Sequence, residues 1–241
     1  MKNLRLLLLM LGATGAISRA APTVSATLTF ANAYIFRGVQ FGHEAFQPDV
    51  TVTNGAFSGG VWANLPTASG EKDEVDPHFA YSFQQGGTSW QTGVQVYTYP
   101  QASGGETRYS VEPFVSASLP LGKDSPVTAY GVVAYDVRLR SISVEGDLSR
   151  TFSLPTGDFA VDLTPTVFLG YVAGNNLTPD AGGPNYKDGY RYWGLRTEAA
   201  HAFSKQFTLS LGGQWDGASN LNGGDAITGN LWWYAAARLS W

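Results

Sequence analysis

The chain of 241 residues contains no cysteine. Disulfide staples, thiolate nucleophiles and cysteine-ligated metals are therefore excluded, although the absence says nothing positive about compartment. Charge is also scarce. Asp, Glu, Lys and Arg make up 14%, against about 25% in an ordinary soluble domain. Lys and Arg form no cluster and the formal net charge is −4, so nucleic acid is not an expected partner. After residue 20 no apolar run approaches the ~20 residues that a membrane-spanning helix needs. What is abundant instead is glycine, at 29 residues, and aromatic rings, at 13%. The length suits one domain or one barrel.

The first twenty residues differ from the rest. Lys2 and Arg5 precede LLLLMLGATGA, and Ser18-Arg19-Ala20 places small residues at the two cleavage-determining positions. A basic region, an apolar region and a small-x-small site predict a secretory signal peptide, residues 1–20. An uncleaved anchor is the alternative, but the apolar run is short for a spanning helix. Removing Lys2, Arg5 and Arg19 takes the charge from −4 to −7.

The dominant period in residues 21–241 is two. In GNLWWYAAARLSW, Leu231, Trp233, Ala235, Ala237, Leu239 and Trp241 share one face, while Asn230, Trp232, Tyr234, Ala236, Arg238 and Ser240 share the other. Such alternation marks a strand with one apolar and one polar face. Twelve segments follow it: 23–37, 46–54, 57–65, 73–84, 89–99, 107–119, 126–139, 141–154, 158–172, 189–202, 206–216 and 229–241. Most match the ~9–11 residues that a tilted strand needs to cross a bilayer.

Short turns (54–56, 85–88, 121–125, 155–157, 204–206) alternate with longer links (38–45, 66–72, 100–106, 173–188, 217–228), except for a tight turn near Arg140. Short turns at one end and long loops at the other are the pattern of an outer-membrane barrel. An even strand number places both termini on the short-turn, periplasmic side. In hydrocarbon every backbone N–H and C=O needs a partner, so a spanning sheet must close. The expected fold is all-β, an antiparallel up-and-down transmembrane β-barrel of twelve strands, within a range of ten to fourteen. A soluble β-sandwich also alternates. Low charge, long strands and aromatics near strand ends weigh against it. Tyr34, Phe36, Tyr81, Phe83, Trp90, Trp193, Trp215, Trp233 and Trp241 are the expected interfacial girdle. Pro48, Pro77, Pro113 and Pro165 fall inside predicted strands and should mark bulges or strand ends. Asn32 falls awkwardly on the lipid-facing parity. The terminal Trp241, with Leu239 and Ala237 before it, has the form of a barrel-assembly signal.

LTFANAYIFRGVQFG (28–42), FSGGVWANLP (57–66), DPHFAYSF (76–83) and GVQVYTYP (93–100) together resemble the TorF-like porins, a bacterial outer-membrane family of uncharacterised function. Tyr34, Phe36, Arg37 and Gly38 carry the match to the first strand, and Ala33 stands where an acidic residue is common. The resemblance covers residues 27–100. It implies an outer-membrane barrel and a channel, and supplies no catalytic residues or cofactor.

Enzymatic constellations are poor. His43, His78 and His201 are scattered, and no metalloprotease, nucleophile-elbow or P-loop pattern occurs. A lipid hydrolase on the barrel wall needs a Ser–His pair. His78 and Ser82, four residues apart on a strand, are ~13 Å apart. The loop NNLTPDAGGPNYKD has Asn and Asp oxygens but not the spacing of a calcium loop. No metal or cofactor is expected.

A transport function must reside on the polar face. Parity points Arg37, Asp49, Glu74, Asp76, Arg108, Glu112, Asp136, Arg138, Arg140, Glu145, Asp147, Asp162, Arg196, Glu198 and Arg238 inward as pore-lining residues. They either pair across strands, Asp136 and Arg138 against Glu145 for example, or form a charged eyelet. Inward Trp62, Tyr97, Phe114, Tyr130, Trp232 and Tyr234 would narrow the bore. Tyr34 and Phe36 are expected to face lipid, with Arg37 at the pore mouth and Gly38 starting an external loop. The expected function is a narrow passive channel for small hydrophilic solutes or ions in the outer membrane. Its expected partners are lipid and lipopolysaccharide, the barrel-assembly machinery through the last strand, and the solutes themselves. The alternatives are a closed barrel with a structural or loop-binding role, or a membrane-embedded hydrolase.

Overall fold

Alternating sequence becomes extended chain throughout the computed structural model, which describes residues 21–104, 106, 108–122, 126–156, 159–174, 186–221 and 227–241. The expected signal peptide and the Asn/Asp-rich loop at 175–188 lie outside the described residues or their described side chains. The strands are β1 (Thr23–Ala31), β2 (Tyr34–Phe36), β3 (Val39–Gly42), β4 (Ala45–Asn54), β5 (Phe57–Pro66), β6 (Glu74–Gln85), β7 (Thr88–Thr98), β8 (Tyr109–Pro120), β9 (Val127–Asp136), β10 (Ser141–Arg150), β11 (Phe152–Thr156), β12 (Phe159–Gly174), β13 (Tyr186–Ala202), β14 (Phe207–Leu221) and β15 (Ile227–Ser240). Among the described residues there is no helix.

Successive strands pair antiparallel, and β1 pairs with both β4 and β15. β10 pairs with both β9 and β12, which closes the ring. β11 continues the β10–β12 register after Thr151, so β10 and β11 form two parts of one staved position. The result is a closed, antiparallel barrel of twelve staves, with β2 and β3 outside the wall as a separate two-stranded sheet. The seam runs past the strand ends, where Val24 and Trp241 exchange backbone hydrogen bonds of 2.8 and 3.0 Å.

Burial is inverted relative to a soluble protein. The buried polar residues, including Glu74, Asp76, Glu112, Asp147 and Asp216, all have inward parity. Leu28, Val50, Val61, Phe79, Val133, Leu169, Leu211 and Leu231 are exposed on the outer face. An apolar outside with a polar inside is the pattern that lipid selects. On that outer face, Phe57, Tyr81, Phe83 and Trp90 follow one another at ring separations of 5.0–6.3 Å near the short turns. Trp193, Trp215 and Trp233 lie toward the long-loop end, and Trp241 lies at the turn end.

The four prolines neither bulge nor end their strands. Each faces outward and lies where one neighbouring ladder is interrupted without a register shift. The β6–β7 ladder stops at His78, and the Thr98 N–H that would continue it bonds to the Asp76 carboxylate at 3.2 Å instead. The β8–β9 ladder stops at Phe114, and the β10/β11 break lies opposite Pro165. A proline has no N–H to give, so one ladder beside each is interrupted or stops there.

Candidate functional site

The site is built by residues 32–44. Ala31 and Ala45 are a cross-strand pair, both fully buried. The chain therefore leaves the wall and returns to it at the same rung. At the exit, Asn32 bonds Trp233 through both its backbone N–H, at 3.1 Å, and its side-chain oxygen, at 2.6 Å. This strand-end role accounts for an Asn on the lipid-facing parity. The continuous strand expected over 23–37 is thus a correction: β1 ends at Ala31, and β2 and β3 form an inward hairpin.

Its tip is Phe36-Arg37-Gly38-Val39, with Phe36 opposite Val39. Arg37 and Gly38 have φ of 51° and 77°. Two consecutive positive φ values are the signature of a type I′ turn. Holding a non-glycine residue there costs roughly 1–2 kcal/mol. Gly38 is required for a second reason: a Cβ on it would sit 2.5 Å from Cβ of Tyr192 and 3.0 Å from the Gly217 carbonyl. The tip therefore rests directly on β13 and β14.

The hairpin spans the bore. Arg37 donates from both terminal nitrogens to the Glu112 carboxylate on β8, at 2.9 and 2.8 Å. Tyr97 on β7 donates to the same carboxylate at 2.9 Å. On the other side Val39, 1% exposed, packs with Phe168, Val172, Tyr190, Tyr192 and Ala218 on β12, β13 and β14. Tyr34 meets the ring of Trp62 at 5.7 Å, and Phe36 meets Tyr97 at 5.8 Å. Burial disfavours the Arg37 charge, yet the hydrogen bonds and the negative charge of Glu112 together outweigh it and hold the guanidinium's pKa above its ordinary value.

These contacts correct three expectations. Tyr34 and Phe36 lie inside the barrel, because the hairpin turns the alternation away from the wall; they are not part of the girdle. Arg37 sits at the tip of the inward hairpin and not at the mouth, and of the two alternatives it takes the pairing one, with Glu112. Arg108 and the turn residues Arg138 and Arg140 are exposed at the loop-side rim, and Arg138 lies over the Tyr109 ring. Asp136 does not pair with Glu145. It accepts from Ser110 at 2.6 Å and from the backbone N–H groups of Arg138 and Leu139, capping the turn.

Loops fasten the hairpin base. His43 bonds Glu71 through both its ring nitrogen Nδ1 and its backbone N–H. This contact raises the His43 pKa, through the hydrogen bond first and the carboxylate's charge second. Thr67 bonds the Glu44 carbonyl, and a Lys72–Glu106 ion pair joins the next two loops.

Beyond the hairpin, a cavity of about 620 Å³ runs along the wall from β4 to β9. Thr51 there lies between Asp49, at 3.1 Å, and His78 Nε2, at 3.2 Å. His78 thus faces the bore, with Thr51 and not Ser82 beside it, while Ser82 accepts from Gln91. His201, on the outer face, bonds the Ala160 carbonyl. Neither histidine meets a serine hydroxyl among the described hydrogen bonds.

On the opposite wall Arg196 pairs with Asp147. Tyr234 donates to Glu198 at 2.7 Å, and Trp232 to Asp216 at 3.2 Å. Asp162 accepts from Ser153 near the turns, where Arg238 also faces inward between Thr27 and Thr208. Inward rings lie over cross-strand glycines: Tyr192 over Gly170, Phe168 over Gly194, and Tyr234 over Gly212. The glycines leave space for rings that would otherwise fill the bore. Asp216 escapes the sequence reading because it closes a predicted segment, although its parity with Gln214 marks it as inward.

A bacterial family model described as protein of unknown function, Gcw_chp, matches residues 15–210. The chain belongs to this family. No match is found among curated proteins. Among solved structures, this Gcw_chp chain is similar to the KdgM porin, at 7% identity and TM-score 0.55, over 91% of this chain and 99% of that one. A KdgM porin in complex with disordered oligogalacturonate aligns at 8% identity and TM-score 0.53, over 91% and 99%. The NanC porin aligns at 11% identity and TM-score 0.51, over 90% and 98%. At such identities the likeness concerns the fold: the Gcw_chp chain shares a porin-type barrel.

Proposed function

We propose that this chain is an outer-membrane channel of the porin type that passes small hydrophilic solutes by diffusion, with a bore narrowed on the loop side by the β2–β3 hairpin. The inverted burial carries the proposal. A closed wall with an exposed apolar outside and a hydrogen-bonding inside gains nothing in water, and in a bilayer it satisfies both solvents. The outward Trp and Tyr at both strand ends support it, as does the resemblance of residues 27–100 to the TorF-like porins. In this reading residues 1–20 direct export. The termini and short turns face the periplasm, and the outer wall meets lipid and lipopolysaccharide. The terminal strand β15, paired to β1 up to Trp241, is the segment offered to the assembly machinery.

The oligogalacturonate in the second structure belongs to that protein. A second reading, a barrel closed at rest, is favoured by the hairpin's contacts on both sides of the bore. Reconstitution into planar bilayers tests the proposal. Discrete conductance steps are expected, and their absence at every voltage and salt concentration favours the closed barrel.

A further inference from the structure

We infer that the bore selects cations over anions, and that its preferred solutes are small hydrophilic cations; the inference rests on the channel reading above. It follows from which charges are cancelled and which are only supported. Among the described residues, carboxylates face inward from β4, β6, β8, β9, β10, β12, β13 and β14, whereas arginines do so only from β13, β15 and the hairpin tip. Two of the three arginines are consumed. Arg37 is held by Glu112, and Arg196 by Asp147. The third, Arg238, lies exposed at the turn-side mouth.

The remaining acids within the bore are supported by neutral donors. Thr51 donates to Asp49, and Tyr234 to Glu198. A hydroxyl, amide or indole N–H orients a carboxylate without cancelling its charge, so the negative potential remains in the lumen. A second observation points the same way. Asp216 is 0% exposed and Asp147 is 7% exposed, yet Oδ2 of the first and Oδ1 of the second have no protein donor among the described residues. No protein donor offsets these inward oxygens, so they add to the negative side of the lumen. Where the hairpin narrows the bore, the Arg37–Glu112 pair is neutral, so it presents no positive ring to attract anions.

Two measurements on the full chain test this. In a planar bilayer under a KCl gradient, the wild type should reverse on the potassium side, with K⁺ favoured over Cl⁻ by about threefold or more. Replacing Asp49 and Glu198 by Asn and Gln should at least halve that ratio. An open channel with a ratio at or below one overturns the inference and leaves the channel proposal standing. Independently, Gln91→Cys places a single thiol in the cavity of a cysteine-free chain. A cationic methanethiosulfonate should modify it on the order of tenfold faster than an anionic one of similar size. Equal rates, or a faster anion, overturn the electronegative bore whether or not current is seen. No current together with a faster cation retains the potential and removes the channel.

Discussion

Arg37 and Glu112 are 75 residues apart in sequence and joined by two hydrogen bonds across the interior of the barrel. The pair fixes a strained turn, with φ of 51° at Arg37, to the inner wall of the barrel. Glu112 is 4% exposed, so removing the cation alone leaves a nearly buried carboxylate, a change that typically costs about 3–5 kcal/mol.

Arg37→Asn separates the turn from the latch. Asn tolerates the left-handed conformation and forms the preferred type I′ pair with glycine, so the hairpin itself should persist. The expected result is a larger or noisier single-channel conductance and stronger cation preference, since Glu112 is freed. Identical conductance histograms for the variant and the wild type would show that the hairpin is held by Val39 and the rings instead.

Gly38→Ala acts on the other anchor. The added Cβ meets Tyr192 and the Gly217 carbonyl, and φ is 77°. Alanine at such a position destabilises by more than about 1 kcal/mol. We expect a lower unfolding midpoint in urea and a tip lifted from β13 and β14, read as altered Tyr192 environment and raised conductance. Retention of wild-type stability would contradict the close approach.

The His43–Glu71 contact predicts a pH dependence at the hairpin base. Its folded pKa is raised above the usual imidazole value by the Glu71 hydrogen bond and charge. The stabilisation is therefore complete below the unfolded value of about 6.5 and is lost as pH rises through the higher folded value. NMR titration of His43 should give a midpoint above that of a free histidine, and Glu71→Gln should return it. A midpoint indifferent to Glu71→Gln would rule out the contact.

Arg196 and Asp147 should couple in a double-mutant cycle. Arg196 is half-exposed, with 42% of its side chain accessible, so the coupling energy should be modest, about 1 kcal/mol. Arg196→Gln should cost more than the Arg196→Gln, Asp147→Asn pair, because the single change strands a buried carboxylate. Strictly additive costs of the two single changes, a coupling of zero, would remove the interaction.

The sequence by itself determined the wall. Period-two alternation leaves one face for each solvent, strand lengths match a membrane, and the alternation of short turns with long links gives the connectivity. These are local properties, so twelve staves and the parity of Asp49, Glu112, Asp147, Arg196 and Glu198 were readable residue by residue. A signal for the hairpin was also present, in YIF and VQF separated by the dipeptide Arg-Gly, the two-residue spacing of a tight turn. Its alternation continues that of β1, so it reads equally well as more wall. Only the tertiary structure decided that it folds inward. That choice depends on partners far along the chain: Glu112 to hold Arg37, a glycine-compatible contact with Tyr192, and the extended β12–β14 wall to bury Val39. Which charges cancel was decided in the same way. Parity shows which side chains share the bore, whereas pairing depends on distances across a closed ring that no local period encodes.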